Sequence, residues 1–328
     1  MKSNILEWAY KYGALFVIGF VIVFFSLWDE HFFTYDNLSD ILRSISIVTF
    51  VAIGITFSLA VDGFDLSVGS TVSLTTVLAA TLMVWHEQPL IVVIAVPLLA
   101  GALIGMLNAF LIVRIRIPDL LATLAVMYII SGIHRTYTKG YSIYNNMQMS
   151  DGTNAPGVFQ DSFLWLGQGQ LLGIPVPVVL MVLAVILVHL FFTFTKWGRQ
   201  MYITGGNEEA ARLSGIRVRR IRLAAYMASG VFAAIGGLLF AARTGTGQID
   251  AGAPLLMESV AAVFVGYSVF GAGKPNVIGT FFGAVLIGVL LNGLTMMRVP
   301  YYTNDIIKGS VLVLALAVTF IHLHRRRA

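Results

Sequence analysis

The chain has 328 residues, of which 58% are hydrophobic and only 11% are charged, with a mean hydropathy of +0.85. A soluble domain carries about 25% charged residues, so this composition excludes a protein that solvates its own surface and indicates an integral membrane protein. The absence of cysteine excludes a disulfide framework, thiol chemistry and thiolate metal sites, and the net charge of +5 reads loop by loop as a topology signal rather than as a nucleic-acid footprint.

Repeated long apolar runs point to helices, because a spanning segment must satisfy its own backbone. A span takes about 20 residues, so roughly ten fill the chain and leave no room for a separate soluble domain. In chain order they are predicted near 13–29, 41–61, 66–85, 90–113, 119–138, 173–195, 221–243, 254–271, 276–297 and 304–323. The run from Gly13 to Trp28 resembles a signal-peptide core but has no small-x-small cleavage site before Asp29, so it is expected to be retained as the first span. Eight of the nine prolines fall at predicted boundaries or in a loop, and only Pro97 lies well inside a span, where a kink is expected.

The second and third spans are separated by a polar break, VDGFDLSVGS from Val61 to Ser70. Two glycines and two carboxylates argue against a continuous helix, and broken helices at membrane depth occur where they line a cavity or are buried in protein. Asp65 is expected to cap the next helix through backbone hydrogen bonds. Phe64, Asp65 and Ser67, with Asn108 and Thr123 further on and Asn292 near the end of the chain, are the candidate pathway residues. Asn108 and Asn292 end similar Gly-Ala-Leu-rich spans running in opposite directions, which suggests an inverted repeat. Both asparagines are expected to bond between helices. Asp119 and Glu258 are expected in first helical turns, where an anion suits the dipole, and Asp305 is expected to pair with Lys308 at i and i+3. His189 stands alone as an interior histidine, and no metal site is expected.

Two loops stand out. Residues 139–172, rich in Tyr, Asn, Gly and Gln, read as a connecting loop with interfacial Phe163 and Trp165, or as a docking surface for an external protein. Residues 196–222 are polar and strongly basic. Within them Asn207 to Ile216 is predicted to form a short helix outside the membrane, capped by Asn207, with Glu208 and Glu209 in its first turn and Gly215 closing it. With the N-terminus inside, fifteen of the 21 Lys and Arg residues fall on one side, which places both termini and the 196–222 loop in the cytoplasm.

These segments together resemble the permease subunits of bacterial ATP-binding cassette importers for ribose, xylose, galactose and related solutes. The resemblance covers about residues 40–320. It rests on GFDLSVG at 63–69, like the family's IDLSVG, and on IPDLLATL at 117–124, like PSFIVTL. The closest match is Gly198-Arg199 followed by GGNEEAARLSGI at 205–216. The last is SVAAVFVG at 259–266 through FGAGKPNVIGT at 270–280, then Asn292-Gly-Leu294. Asp119 and Leu120 replace the usual Ser-Phe, and Tyr267-Ser268-Val269 replaces the common Gly-Thr-Ser, so the solute is left open.

The resemblance implies an all-α integral membrane protein of about ten transmembrane helices, a single permease domain over residues 1–328 in the bacterial cytoplasmic (inner) membrane. It implies uptake of a small polar solute, most simply a monosaccharide, by alternating access. Three partners are implied: a cytoplasmic ATP-binding subunit, an extracytoplasmic solute-binding protein, and a second permease copy or sister permease. No nucleic acid is expected. No Walker-type loop occurs in this chain, so ATP and Mg belong on the partner ATPase; no cofactor and no enzyme activity are expected here. The segment seated in the ATPase would be Gly205, Gly206, Asn207, Glu208, Glu209, Ala210, Ala211, Arg212, Leu213 and Gly215. The alternative reading is an ion- or proton-coupled secondary transporter with no ATPase, with which Asp62 and Asp65 are compatible. A membrane-embedded enzyme would need a convergent catalytic constellation that the sequence lacks.

Overall fold

The structure, a computed structural model, describes residues 2–149, 152–268, 274–303, 305–311 and 313. The helices are α1 (Lys2–Trp28), α2 (Tyr35–Ala60), α3 (Ser67–Val84), α4 (Leu90–Ala109), α5 (Asp119–Tyr137), α6 (Asp161–Gln168) and α7 (Val176–Phe194). They continue with α8 (Lys196–Gly206), α9 (Glu208–Leu213), α10 (Val218–Thr244), α11 (Gly252–Ser268) and α12 (Val277–Met296). A π-helical segment, Phe110–Ile115, extends α4. Among the described residues seven helices are long and apolar enough to cross a membrane: α2, α3, α4 with its π segment, α5, α7, α10 and α12. The apolar stretches of α1 (Leu15–Trp28) and α11 (Gly252–Tyr267) are shorter. Residues 305–311 are helical where the tenth span is predicted; its remainder beyond 313, Arg325 to Arg327, and Val269 with residues 270–273 of the FGAGKPNVIGT motif lie outside the described residues.

Contacts order the long helices into an alternating bundle with two faces. One face carries α8 and α9. The other carries the 138–175 connection, where the short strands β1 (Ile143–Tyr144) and β2–β3 (Gln170–Leu171 and Ile174–Pro175) lie. β1 pairs antiparallel with β4 (Thr246–Gly247) just after α10, and β2 with β3 in a tight hairpin. α10 therefore runs from the helical face to the loop face, while α2 runs the other way, from Tyr35 bonded to Gly173 O (2.7 Å) to Ala60 beside Gly205.

α2 and α3 form the interior, each 83% buried, whereas the spanning window of α5 is only 28% buried. Such burial in a lipid-facing bundle needs backbones to approach closely, and small residues permit it. Between α4 and α10, a side chain on Gly101 or Gly105 would collide with the Gly230 or Tyr226 backbone, and one on Gly230 with the carbonyl of Gly101. Gly283 of α12 meets Ala262 of α11 in the same way. Pro97 is accommodated inside α4.

Three expectations need correction. Lys308 pairs with Glu258 at 2.7 Å and not with Asp305. α11 begins at Gly252, so Glu258 lies beyond its first turn, and a carboxylate there takes its counter-charge from the neighbouring helix instead of from the dipole. The 139–172 connection is not irregular throughout, because α6 forms within it around Phe163, which is fully buried, while Trp165 is 46% exposed.

The α4–α10 approach makes a direct prediction. Gly105→Val should lower stability by about 1–3 kcal/mol through overpacking, read as a lower melting temperature of the detergent-purified protein. Gly132→Ala, at a position with open space around it, should leave the melting temperature unchanged.

Candidate functional site

The break between α2 and α3 is where the sequence and the packing conflict, and side chains resolve the conflict. α2 ends at Ala60, Asp62 takes a left-handed φ of +56°, and α3 starts at Ser67. The backbone groups freed there lie inside the bundle, away from water, where each unpaired group is costly. Asp65, 1% exposed, fills the gap. Its Oδ1 accepts from the Ser67 amide (3.0 Å), the Ser67 hydroxyl (2.6 Å) and Asn108 Nδ2 (3.2 Å), and its Oδ2 accepts from the Ser229 hydroxyl (2.8 Å). Asn108 Nδ2 also donates to Ser67 Oγ at 2.7 Å. One carboxyl thus joins α3, α4 and α10.

Asp65 bonds the first amide of α3 from one position further back than a cap, because Leu66 stands between them in helical conformation. The Thr123 hydroxyl of α5 shares its one proton between Asp119 O (2.9 Å) and Phe64 O (3.1 Å), so a fourth helix touches the break. Phe64 is half-buried and stacks on Phe264 of α11, with ring centroids 6.4 Å apart. Five of the six candidate pathway residues therefore gather at one place. Asn292 does not; it donates to Asn37 of α2 at 2.9 Å near the loop face. Helix-to-helix bonding, the expected role of both asparagines, is what their hydrogen bonds provide.

On the helical face, Asn207 caps α9 through Oδ1, which accepts from the Ala210 amide at 2.9 Å. The Ile216 amide returns to Ala211 O at 3.0 Å while Gly215 takes φ +78°, which closes the helix. The sequence missed the preceding helix, α8. Its signal is Thr195, whose hydroxyl accepts from the Gly198 amide at 3.1 Å as an N-cap. The Tyr202 phenol of α8 is pushed up to about 12 by burial, and it donates to Pro275 O at 2.8 Å. Gly205 sits so close to Ala60 O and the Asp62 amide that no side chain fits.

An ionic path runs from α9 into the bundle. Arg212 bonds Glu208 at 2.7 Å, Arg222 of α10 lies 3.8 Å from Glu208 and 3.9 Å from Asp119, and Tyr226 donates to Asp119 Oδ2 at 2.7 Å. Asp119, the first residue of α5, is set there by more than the dipole. Gly63 lies directly against Asp119 and the Tyr226 hydroxyl. The same elements line an open cleft of about 890 Å³ rich in arginine, including Arg116, Arg217, Arg219 and Arg220. No cluster of three or more metal-ligating side chains occurs among the described residues.

Known proteins are similar to this chain in sequence. Residues 37–316 match the family model described as branched-chain amino acid transport system / permease component. The chain belongs to this permease family. The ribose import permease protein of Escherichia coli strain K12 is 34% identical over 311 residues, covering 95% of this chain and 94% of its own. The ribose import permease protein of Bacillus subtilis strain 168 is 32% identical over 305 residues, covering 93% and 91%. The galactose/methyl galactoside import permease protein of Salmonella typhimurium strain LT2 is 31% identical over 338 residues, covering 99% and 98%. No solved structure matches. The permease is a multi-pass protein of the bacterial inner membrane.

The four donors on Asp65 set its expected contribution. Asp65→Ala strands all four and should cost about 3 kcal/mol or more, whereas Ser229→Ala removes one and should cost about 1–2 kcal/mol. Thermal unfolding of the purified permease compares them. Equal melting temperatures would contradict the role of Asp65 as the joint of three helices.

Proposed function

We propose that this permease is the membrane-spanning subunit of an ATP-binding cassette importer for a monosaccharide. The observation that carries the reading is α9. It is a capped helix outside the bundle, seated beside the α2–α3 break by way of Gly205 and tied to it by Arg222. Its outer surface presents Glu209 and Leu213, the latter 85% exposed. A large apolar side chain left in water on a short charged helix suits an anchor for a protein partner. Nucleotide hydrolysis is assigned to that partner, an ATPase carrying ATP and Mg. Ribose and galactose in the names of the relatives support a sugar as cargo.

In this reading the chain forms ten spans as a single permease domain with both termini in the cytoplasm, following the basic residues. The ATPase docks on the helical face. A solute-binding protein docks on the loop face, where Trp165 and Leu172 are exposed. A second permease copy, or a sister permease, completes the transporter. Closure of the ATPase pushes α9, and the push reaches α5 and the break through Glu208, Arg222 and Asp119, alternating access. Asp65, Ser67, Asn108 and Thr123 hold the wall of the pathway, and Phe64 faces α11 across it.

No feature of the helical face favours a self-sufficient secondary transporter, which has no use for α8 and α9. Co-purification separates the two classes: the permease should retain an ATP-binding subunit through detergent extraction. Glu209→Arg and Leu213→Asp should each abolish ATP-driven uptake and release that subunit while leaving membrane insertion intact. Full ATP-driven transport by either variant would defeat the proposed coupling.

A further inference from the structure

α3, α5 and α11 enclose a second cavity, of about 370 Å³, on the loop-face side of the break. Small-molecule sites commonly span about 300–1,000 Å³ and combine apolar walls with a few placed polar groups. Here the floor is Leu66 and Gly69, immediately after Asp65, and Met127 and Leu256 supply apolar wall. Ser70, Ser73 and Ser131 bring hydroxyls. The Ser70 hydroxyl donates to Ser67 O at 2.9 Å, which leaves its lone pairs, and Ser73 Oγ accepts from the Gly252 amide at 2.9 Å, which leaves its proton. Both serines are buried, each 4% exposed, and they stand one helical turn apart on α3. An acceptor and a donor at that spacing, above an apolar floor, match adjacent sugar hydroxyls, which both give and take hydrogen bonds. No charged side chain lies at the floor to hold a solute tightly.

At the loop face the cavity is bordered by two contacts between the end of α5 and the loop after β4. His134 Nε2 donates to Ile249 O at 3.0 Å, and Arg135 is ion-paired with Asp250. The two charged side chains are 55% and 66% exposed, so their pair is weak and easily opened.

We propose that this cavity is the stretch of the solute path nearest the loop face, that it takes a polyhydroxylated small molecule, and that Arg135–Asp250 is its outer latch. The assignment rests on the permease reading above. The second copy in that assembly closes the open side beside Tyr128, which is 68% exposed.

The chain has no cysteine, so a single introduced cysteine is its sole thiol, and labelling is read on this chain after separation from its partners. Ser73→Cys, Ser131→Cys and, on the exposed face of α4, Leu103→Cys are compared in the full transporter in right-side-out membrane vesicles, with a charged, membrane-impermeant methanethiosulfonate. Ser73→Cys and Ser131→Cys should react and Leu103→Cys should not, because a thiol in hydrocarbon does not form the reactive thiolate. Adding Asp250→Asn to Ser131→Cys should speed its modification by about two- to fivefold, the worth of one exposed ion pair. The modified Ser131→Cys transporter should lose ATP-driven uptake of radiolabelled ribose or galactose and keep hydrolysing ATP. Ser131→Cys as inert as Leu103→Cys, or a rate unmoved by Asp250→Asn, overturns the proposal. A parent transporter in which ATP drives uptake of no monosaccharide overturns the permease reading instead, whatever the labelling pattern.

Discussion

A helix interrupted inside a bundle must pair the backbone and side-chain groups that the interruption frees, and in this permease one carboxyl bears that load. Asp65 receives donors from α3, α4 and α10. Hydrogen bonds between helices in a membrane contribute about 0.6 kcal/mol each on average and about 1.7 at most, so the four on this carboxyl act together with close packing and do not replace it. The small-residue approach of α4 to α10 brings Asn108 and Ser229 within reach of the same carboxyl. The break is therefore a rigid node, and motion in the bundle has to take place around it.

Around that node the charges are arranged asymmetrically. Towards α9 the side chains form a line of ionic contacts at 3.8 and 3.9 Å, longer than the 2.6–3.2 Å bonds about Asp65. Contacts of that length hold direction without fixing geometry, and Arg222, 18% exposed, is screened from solvent enough for them to matter. Short bonds at the node and long ones on the approach give a stiff centre with a compliant linkage. Asp119 matters here because the resembling family has serine at that position. A serine could accept from Tyr226 but could not attract Arg222, so in this chain the linkage is more strongly charged.

Much of this was legible in the sequence, and the reasons differ by element. Seven predicted spans agree with α2–α5, α7, α10 and α12 in existence and order, because apolar length alone defines a span; two more fall on helices α1 and α11, whose apolar stretches are shorter. α1 was the least accurate: its helix begins at Lys2, well before residue 13. The short helix at Asn207 was legible because its cap and closing glycine act locally. The gathering of Asp65, Ser67 and Asn108 was not, since Ser229 lies 164 residues from Asp65 and a single sequence carries no record of such pairing. α8 escaped because three glycines and two cations suggest a loop; it is helical because Gly198, Met201 and Thr204 bury against their neighbours. Lys308 could be paired by spacing with Asp305, yet a membrane charge goes to whichever partner shares its depth, here Glu258.

α5 is the element that meets both ends of this arrangement. Its first residue, Asp119, takes part in the ionic path from α9, and Arg135 in its last turn pairs with Asp250 at the loop face. Nineteen residues of helix separate the two faces by about 28 Å. Its spanning window is 28% buried against 83% for α2 and α3, so it packs on the rigid interior along one side only. A lightly packed helix between a charged linkage and an exposed ion pair can tilt as a unit, because tilting gives up weak contacts at its ends and not the bonds of the node. Thr123, one turn in from Asp119, is the exception: its hydroxyl reaches Phe64 O from α5, which ties the α9 end of the helix to the break and leaves the Arg135 end the larger swing.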